Sequence, residues 1–152
     1  MRLYSFVNYY LSQLQAGLQT AHCVSEMSVA HNMKSAERSA YTSWAIYDKT
    51  IIICNGGNSA MLEDLHLRLV DFAARFELPL TKFYEDEQSL NNALTSVAIL
   101  VPARFYDVKL INSEVAPTLA YLYVMPDGTE LHYEDGSDEF AFISLLKSFR
   151  LA

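Results

Sequence analysis

Cysteine is scarce in this chain, with Cys23 and Cys54 the two examples in 152 residues. Two cysteines build no disulfide framework, and their separation fits no metal-binding spacing. They read as small buried residues of a protein kept in a reducing compartment. Positive charge is also short: 11 Lys and Arg stand against 18 Asp and Glu, a net charge of −7. Sequence-independent nucleic-acid binding depends on Lys and Arg neutralising phosphates, so this balance works against it. Long apolar runs are missing. None approaches the roughly 18 residues of a membrane span, and the opening MRLYSFVNYY has no continuous signal-peptide core. Gly and Pro are few, at 5 and 4, and they form neither a low-complexity linker nor a repeat. These shortages lead to the expectation of a soluble, cytoplasmic protein with no membrane segment, cofactor or metal.

What is abundant is apolar and aromatic. Hydrophobic residues make up 51% of the chain, including 10 Tyr and 8 Phe. That suits one domain with a sizeable core. RLYSFVN (2–8) is rich in β-formers and reads as a strand. From Tyr10 the period changes, because Tyr10, Leu14, Gly17, Ala21 and Val24 recur on one helical face. Leu11 and Leu18 widen that stripe, and Gly17 within it suggests close packing. AERSAYTSWAIY (36–47) reads as a second helix, with Trp44 its core anchor. TIIIC (50–54) reads as a buried strand, central and parallel. NGGNS leads into a helix over 60–76 with the stripe Leu62, Leu65, Leu69, Phe72 and Phe76. Strands follow at 80–85 and 94–101, separated by a polar loop over 86–93.

Beyond Pro102 a Pro-Asp-Gly turn joins two strand-like runs, 118–124 and 129–134. An acidic-capped helix over 137–149 follows, with Phe142, Leu145, Leu146 and Phe149 on its apolar side. The order predicts a layered α/β/α single domain. Its mixed, mainly parallel four-stranded core sheet lies within residues 1–101. Residues 102–152 add a C-terminal hairpin and helix.

Three features carry a resemblance to the type 2 peptidyl-tRNA hydrolase family over about residues 2–101. The first helix bears Gln19-x-x-His22. Trp44 precedes the second strand in SWAIYDKTIII. Asp86 opens a polar loop that runs to Thr95 at the head of an apolar strand. The resemblance implies the family's fold, and a site made by His22, Asp86 and Thr95 beside Gln15 and Gln19. It also implies pairing of two copies. The family carries a Lys where this chain has Gln15, and the loop lacks the family's Thr-Gln and Pro-Gly elements. Ester hydrolysis needs a poised water and stabilisation of an oxyanion, and Gln15 brings no positive charge.

Gln15, Gln19, His22 and Glu26 share one helix face, opposite the apolar stripe. Periodicity alone makes this a solvated surface. The resemblance makes it the edge of a cleft roofed by the 86–93 loop. Asn91, Asn92 and Thr95 read equally as turn formers or as groups that frame a base or ribose. Gly56-Gly57 lacks phosphate-loop spacing and reads as a tight turn. His22, His31, His66 and His132 form no metal pattern.

The favoured expectation is a binding protein for a nucleotide-like or other small polar ligand, without efficient hydrolysis. A decoy that sequesters a signalling nucleotide fits this description. The alternative is an active peptidyl-tRNA hydrolase, with tRNA as partner despite the acidity. A third reading is an interaction protein whose aromatic C-terminal hairpin and helix form a homodimer or partner interface.

Overall fold

The computed structural model of the chain describes residues 1–112 and 118–152. They form two compact units, Met1–Leu100 with Phe149–Ala152, and Val101–Ser148.

In the first unit, strand β1 (Arg2–Val7) pairs in parallel with β2 (Ile51–Asn55), from Leu3 opposite Ile51 to Val7 opposite Asn55. Strand β3 (Leu80–Tyr84) pairs antiparallel with β4 (Leu94–Val101). The sheet order is β2-β1-β4-β3. The Asn8 N–H donates to the Thr95 carbonyl at the end of β1, and Leu3 meets Leu100 in the core at its start. Hence β1, β2 and β3 point one way and β4 is reversed: the sheet is mixed, as expected, but it is not mainly parallel, because β1–β2 is its one parallel pair and the short β3–β4 connection can join only antiparallel neighbours.

Helices cover both faces. Helix α1 (Gln13–Val29) lies on one, joined by α2 (Ser35–Ser43) and a π-helical turn at Trp44–Asp48. Trp44 is buried there with Leu3, Cys23, Met27, Ala98 and Leu100, as the sequence predicts. Helix α3 (Ser59–Phe76) lies on the other. Alternation along β3 shows this, since Phe83 stacks on His22 of α1 while the Tyr84 hydroxyl donates to Glu63 of α3. Asn58 caps α3 by accepting the Met61 N–H, and Leu62, Leu65 and Leu69 are buried. Phe72 and Phe76 of the expected stripe stay half-buried, their rings parallel at 6.3 Å.

Two expectations fail in informative ways. TIIIC is an edge strand, not a central one, and Ile51 is exposed. The centre belongs to β1 and to β4, which is buried at every position. An apolar run reports burial of its faces but not which neighbours pair with its backbone. The outer edge of β2 is partly covered by the last residues. Asn55 N–H donates to Arg150 O and Ala152 N–H to Ile53 O, each at 2.9 Å. Such cover blunts an edge that would otherwise pair with another chain.

The second failure is the rotation of α1. Its inward side chains are Ala16, Gln19, Thr20, Cys23 and Met27. Leu14 and Leu18, placed in the buried stripe by periodicity, are 76% and 52% exposed. Gly17 is not a close-packing position, because a Cβ there would meet nothing within 4 Å. The sheet beneath α1 explains this setting. It presents the buried hydroxyls of Ser5, Thr95 and Ser96. A leucine stripe would leave those hydroxyls unpaired, at a cost of about 1–3 kcal/mol each. Small and polar residues on α1 approach closely and bond them instead.

The second unit holds α5 (Ala103–Tyr106), β5 (Lys109–Asn112), β6 (Leu119–Val124), β7 (Glu130–Glu134) and α6 (Asp138–Lys147). β6 and β7 are the expected hairpin, and β5 joins them in an antiparallel sheet of order β5-β6-β7. The four residues of β5 are too few for a periodic signal. Phe105 and Phe142 meet edge to face at 5.1 Å in this unit's core. Phe149 does not join the apolar side of α6. It lies past the helix end, in the first unit, with its ring 4.7 Å from that of Phe6.

Candidate functional site

The carboxyl ends of β1 and β3 and the start of β4 lie at one end of the sheet, below the first half of α1. A connected set of polar side chains occupies this end. Thr95 Oγ1 donates to Gln19 Oε1 at 2.7 Å, and Gln19 Nε2 donates to Glu85 Oε2 at 2.7 Å. Glu85 Oε1 accepts the Asp86 N–H at 3.3 Å. Thr95 is fully buried, Gln19 is 6% exposed, and Glu85 is half-buried at the rim. Charge therefore sits at the outer end of a chain whose inner end is a neutral hydroxyl.

The network continues inward. Ser96 Oγ donates to the Gln19 carbonyl and contacts Cys23 Sγ at 3.1 Å. Ser5 and Thr20 share a 2.8 Å hydrogen bond, and Thr20 Oγ1 lies 2.9 Å from the Ala16 carbonyl. Burial pushes the Cys23 thiol up to about 11, and burial does the same to Cys54. Both stay protonated near neutrality, so neither is a ready nucleophile.

The sequence-predicted residues separate into three groups. Gln19, Thr95 and His22 come together, with the His22 ring flat against Phe83 at 4.3 Å and 11°. His22 is exposed, so its other face is open to solvent. Gln15 is exposed at the start of α1, in a capping box with Ser12: Ser12 N–H donates to Gln15 Oε1, and Gln15 N–H to Ser12 Oγ. Asp86, Asn91 and Asn92 lie on the β3–β4 connection, which carries a short helix, α4 (Glu87–Leu90). The Asp86 carbonyl accepts the Leu90 and Asn92 N–H groups. Asn91 and Asn92 adopt left-handed φ values of 54° and 57° and are exposed, which is the turn-forming role of asparagine.

Glu85 was not singled out by sequence reasoning, although it ends the third strand run beside Asp86. The signal for the buried polar seam is the spacing of Ala16, Gln19, Cys23 and Met27, a helical period of small and polar residues.

Two recesses border the same end of the first unit. One, of about 400 Å³, lies along the first turns of α3 and is lined by Gly56, Asn58, Met61, Asp64, Arg68 and Phe149. It holds none of the predicted site residues. The other, of about 90 Å³, lies between the ends of β1 and β2 and includes Asn8 and Asn55. Gly56 and Gly57 form the turn between them, as expected. Gly57 needs its φ of 83°, and a Cβ on Gly56 would collide with Leu62. Among the described residues no group of His, Cys, Asp and Glu could hold a metal ion. No helix among them is long and apolar enough to cross a membrane.

Fold and site define a three-layer α/β/α protein with a carboxylate-ended polar network at the carboxyl edge of its sheet. Compared with protein-family models and with curated proteins, the chain gives no significant match.

Proposed function

We propose that the chain binds a nucleotide-like or other small polar ligand at the Glu85–Gln19–Thr95 edge and does not hydrolyse it efficiently. The observation that carries this reading is the fixed carboxylate. Glu85 is held by Gln19 on one oxygen and by a backbone N–H on the other. A carboxylate has about four lone-pair positions, so it can still accept N–H or O–H groups from a ligand. Beside it, the open face of His22 on Phe83 offers a flat surface for a ring. Gln15, where the resembled family carries a Lys, is neutral and turned into the helix cap. That supports binding over ester cleavage, which needs charge stabilisation at a developing oxyanion.

Cytoplasmic residence belongs to this reading and is supported by two buried, unpaired thiols. Self-association does as well, and sedimentation of the purified chain reads it directly. The ligand reading is tested by calorimetric titration with a panel of mono-, di- and cyclic nucleotides. We expect saturable binding by at least one ligand, weakened at least ten-fold in Glu85→Gln, since a hydrogen bond to a charged group is worth about 1.5–3 kcal/mol. An inert panel would overturn it. So would turnover of an N-blocked aminoacyl-tRNA that is lost in His22→Ala, in favour of the hydrolase alternative.

A further inference from the structure

The leucines that α1 turns outward have no partner within the first unit. Among the described residues α1 packs chiefly on β1, β2 and β3, through its inward side chains. Leu14, Leu18, Ala21 and Ser25 occupy the opposite side, spaced four, three and four, which is the spacing of a seam between two helices. All four are exposed, Leu14 and Leu18 at 76% and 52%. Tyr9 and Tyr10, also exposed, extend the apolar surface just ahead of the helix. Gly17 stands beside Leu18, and a Cβ on it would meet nothing within 4 Å. A second helix laid on this face can therefore come close to the backbone there.

Charge supplies an independent observation, and it bears on what covers the face. No Lys, Arg, Asp or Glu occurs from Leu3 to Ser25, and Glu26 is the one charged residue of α1. Helix α3 is the contrast. Its exposed Leu67 stands among Asp64, Arg68 and Asp71, as on an ordinary solvated helix. Charged residues are depleted at the centres of protein–protein contacts. Two copies of this chain each carry −7 and repel one another wherever charge faces charge. The outer face of α1 is a surface on which they can meet without that cost. A basic partner would gain nothing from a neutral face. A membrane surface is also a poor fit, because interfacial helices carry Lys and Arg on their polar side and α1 has neither.

We propose that the outer face of α1 is the contact between two copies of this chain, with the two α1 helices packed antiparallel about a two-fold axis. The sequence is self-complementary in that arrangement. An axis passing between Gly17 and Leu18 sets Leu14 of each copy opposite Ala21 of the other, and Leu18 of each over the open space at Gly17 of the other. Large side chains then enter the gaps left by small ones, which is how packed helices interdigitate. The same patch serves both copies, as a two-fold contact requires. The inference rests on the self-association in the proposed reading and gives it a surface. The Glu85–Gln19–Thr95 edge lies on the inward side of α1, so the contact does not use it.

The test is sedimentation equilibrium of the full chain over a wide concentration range. We expect a monomer–dimer equilibrium that added salt leaves unchanged or tightens, because salt screens the repulsion between acidic copies. Leu18→Glu sets two carboxylates together at the axis and should weaken the dimer by at least about ten-fold, the effect of burying unpaired charge. Leu67→Glu makes the same charge change at an exposed leucine of α3 and should leave the dimer intact. Both positions face solvent in one copy, so circular dichroism should show both variants folded. Leu18→Cys should oxidise to a covalent dimer far faster than Leu67→Cys, since the native thiols are buried. A chain that stays monomeric throughout overturns the inference, whether or not it then binds lipid vesicles. So does a dimer that survives Leu18→Glu, or one that Leu67→Glu weakens equally. A dimer broken by Leu18→Glu in a chain that binds no nucleotide leaves this contact standing and sinks the ligand reading. Nucleotide binding by a strictly monomeric chain does the reverse.

Discussion

Replacing Thr95 with Val tests the rotation of α1, on which the site depends. Thr95 is fully buried and its hydroxyl donates to Gln19 Oε1 at 2.7 Å. The substitution is close in shape and removes the donor. Gln19 is 6% exposed, so its Oε1 loses a partner where water has little access. Loss of a net hydrogen bond together with an unpaired buried acceptor costs about 2–3 kcal/mol. For a chain of this size each kcal/mol lowers Tm by about 2–4 °C. Gln19→Leu should cost less, because the Thr95 hydroxyl keeps the Phe83 carbonyl at 3.4 Å and Glu85 at the rim turns to water. The double variant should be more stable than the sum of the two losses predicts, by about 1 kcal/mol. Urea unfolding followed by circular dichroism measures all three. Leu14→Ala is the control: Leu14 is 76% exposed and its truncation should change stability by less than about 0.5 kcal/mol. If Leu14→Ala costs more than Thr95→Val, and the two network variants add without coupling, then α1 turns its leucines inward and the network does not form.

Further outcomes follow from other parts of the first unit. Gly56→Ala forces a methyl group against Leu62 and Phe6, and should cost about 1–3 kcal/mol in the same urea assay. His66 has its pKa lowered by burial first and by Lys82 second, with Glu63 opposing. The unfolded chain therefore takes up that proton at a higher pH than the folded chain. The stability this contributes is fully present above about pH 6.5 and is lost as pH falls through the folded value. His66→Gln should flatten that acid-side decline in a pH series of melts. The Cys23 and Cys54 thiols, both raised to about 11 by burial, should react with a disulfide reagent at pH 8 far more slowly than in urea. Fast labelling of the folded chain would contradict their burial.

The layer order was legible because local patterns carry it. Strand runs alternate with helical periods, Asn58 and Ser137 stand where helices begin, and a Pro-Asp-Gly turn joins the hairpin. Each of these is decided by residues within a few positions of one another. Trp44 was legible for the same reason, as one large apolar residue in a short amphipathic segment. Gln19, His22 and Thr95 were singled out through a family resemblance, and Glu85 escaped because nothing local separates it from Asp86.

What the sequence by itself determined is which segments are helix or strand and in what order they come. Which face of α1 turns inward was decided only by the sheet beneath it. Hydrophobic periodicity selected the stripe of Leu14 and Leu18, whereas the folded chain buries Ala16, Gln19, Thr20 and Cys23. Periodicity weighs each side chain against water. The tertiary structure weighs it against Ser5, Thr95 and Ser96, hydroxyls that must be paired once buried. The same holds for β2, whose apolar run is indifferent to whether a strand or the residues near Leu151 lie along its outer edge. Partners distant in sequence set both outcomes, because the cost of an unsatisfied buried group depends on what stands opposite it.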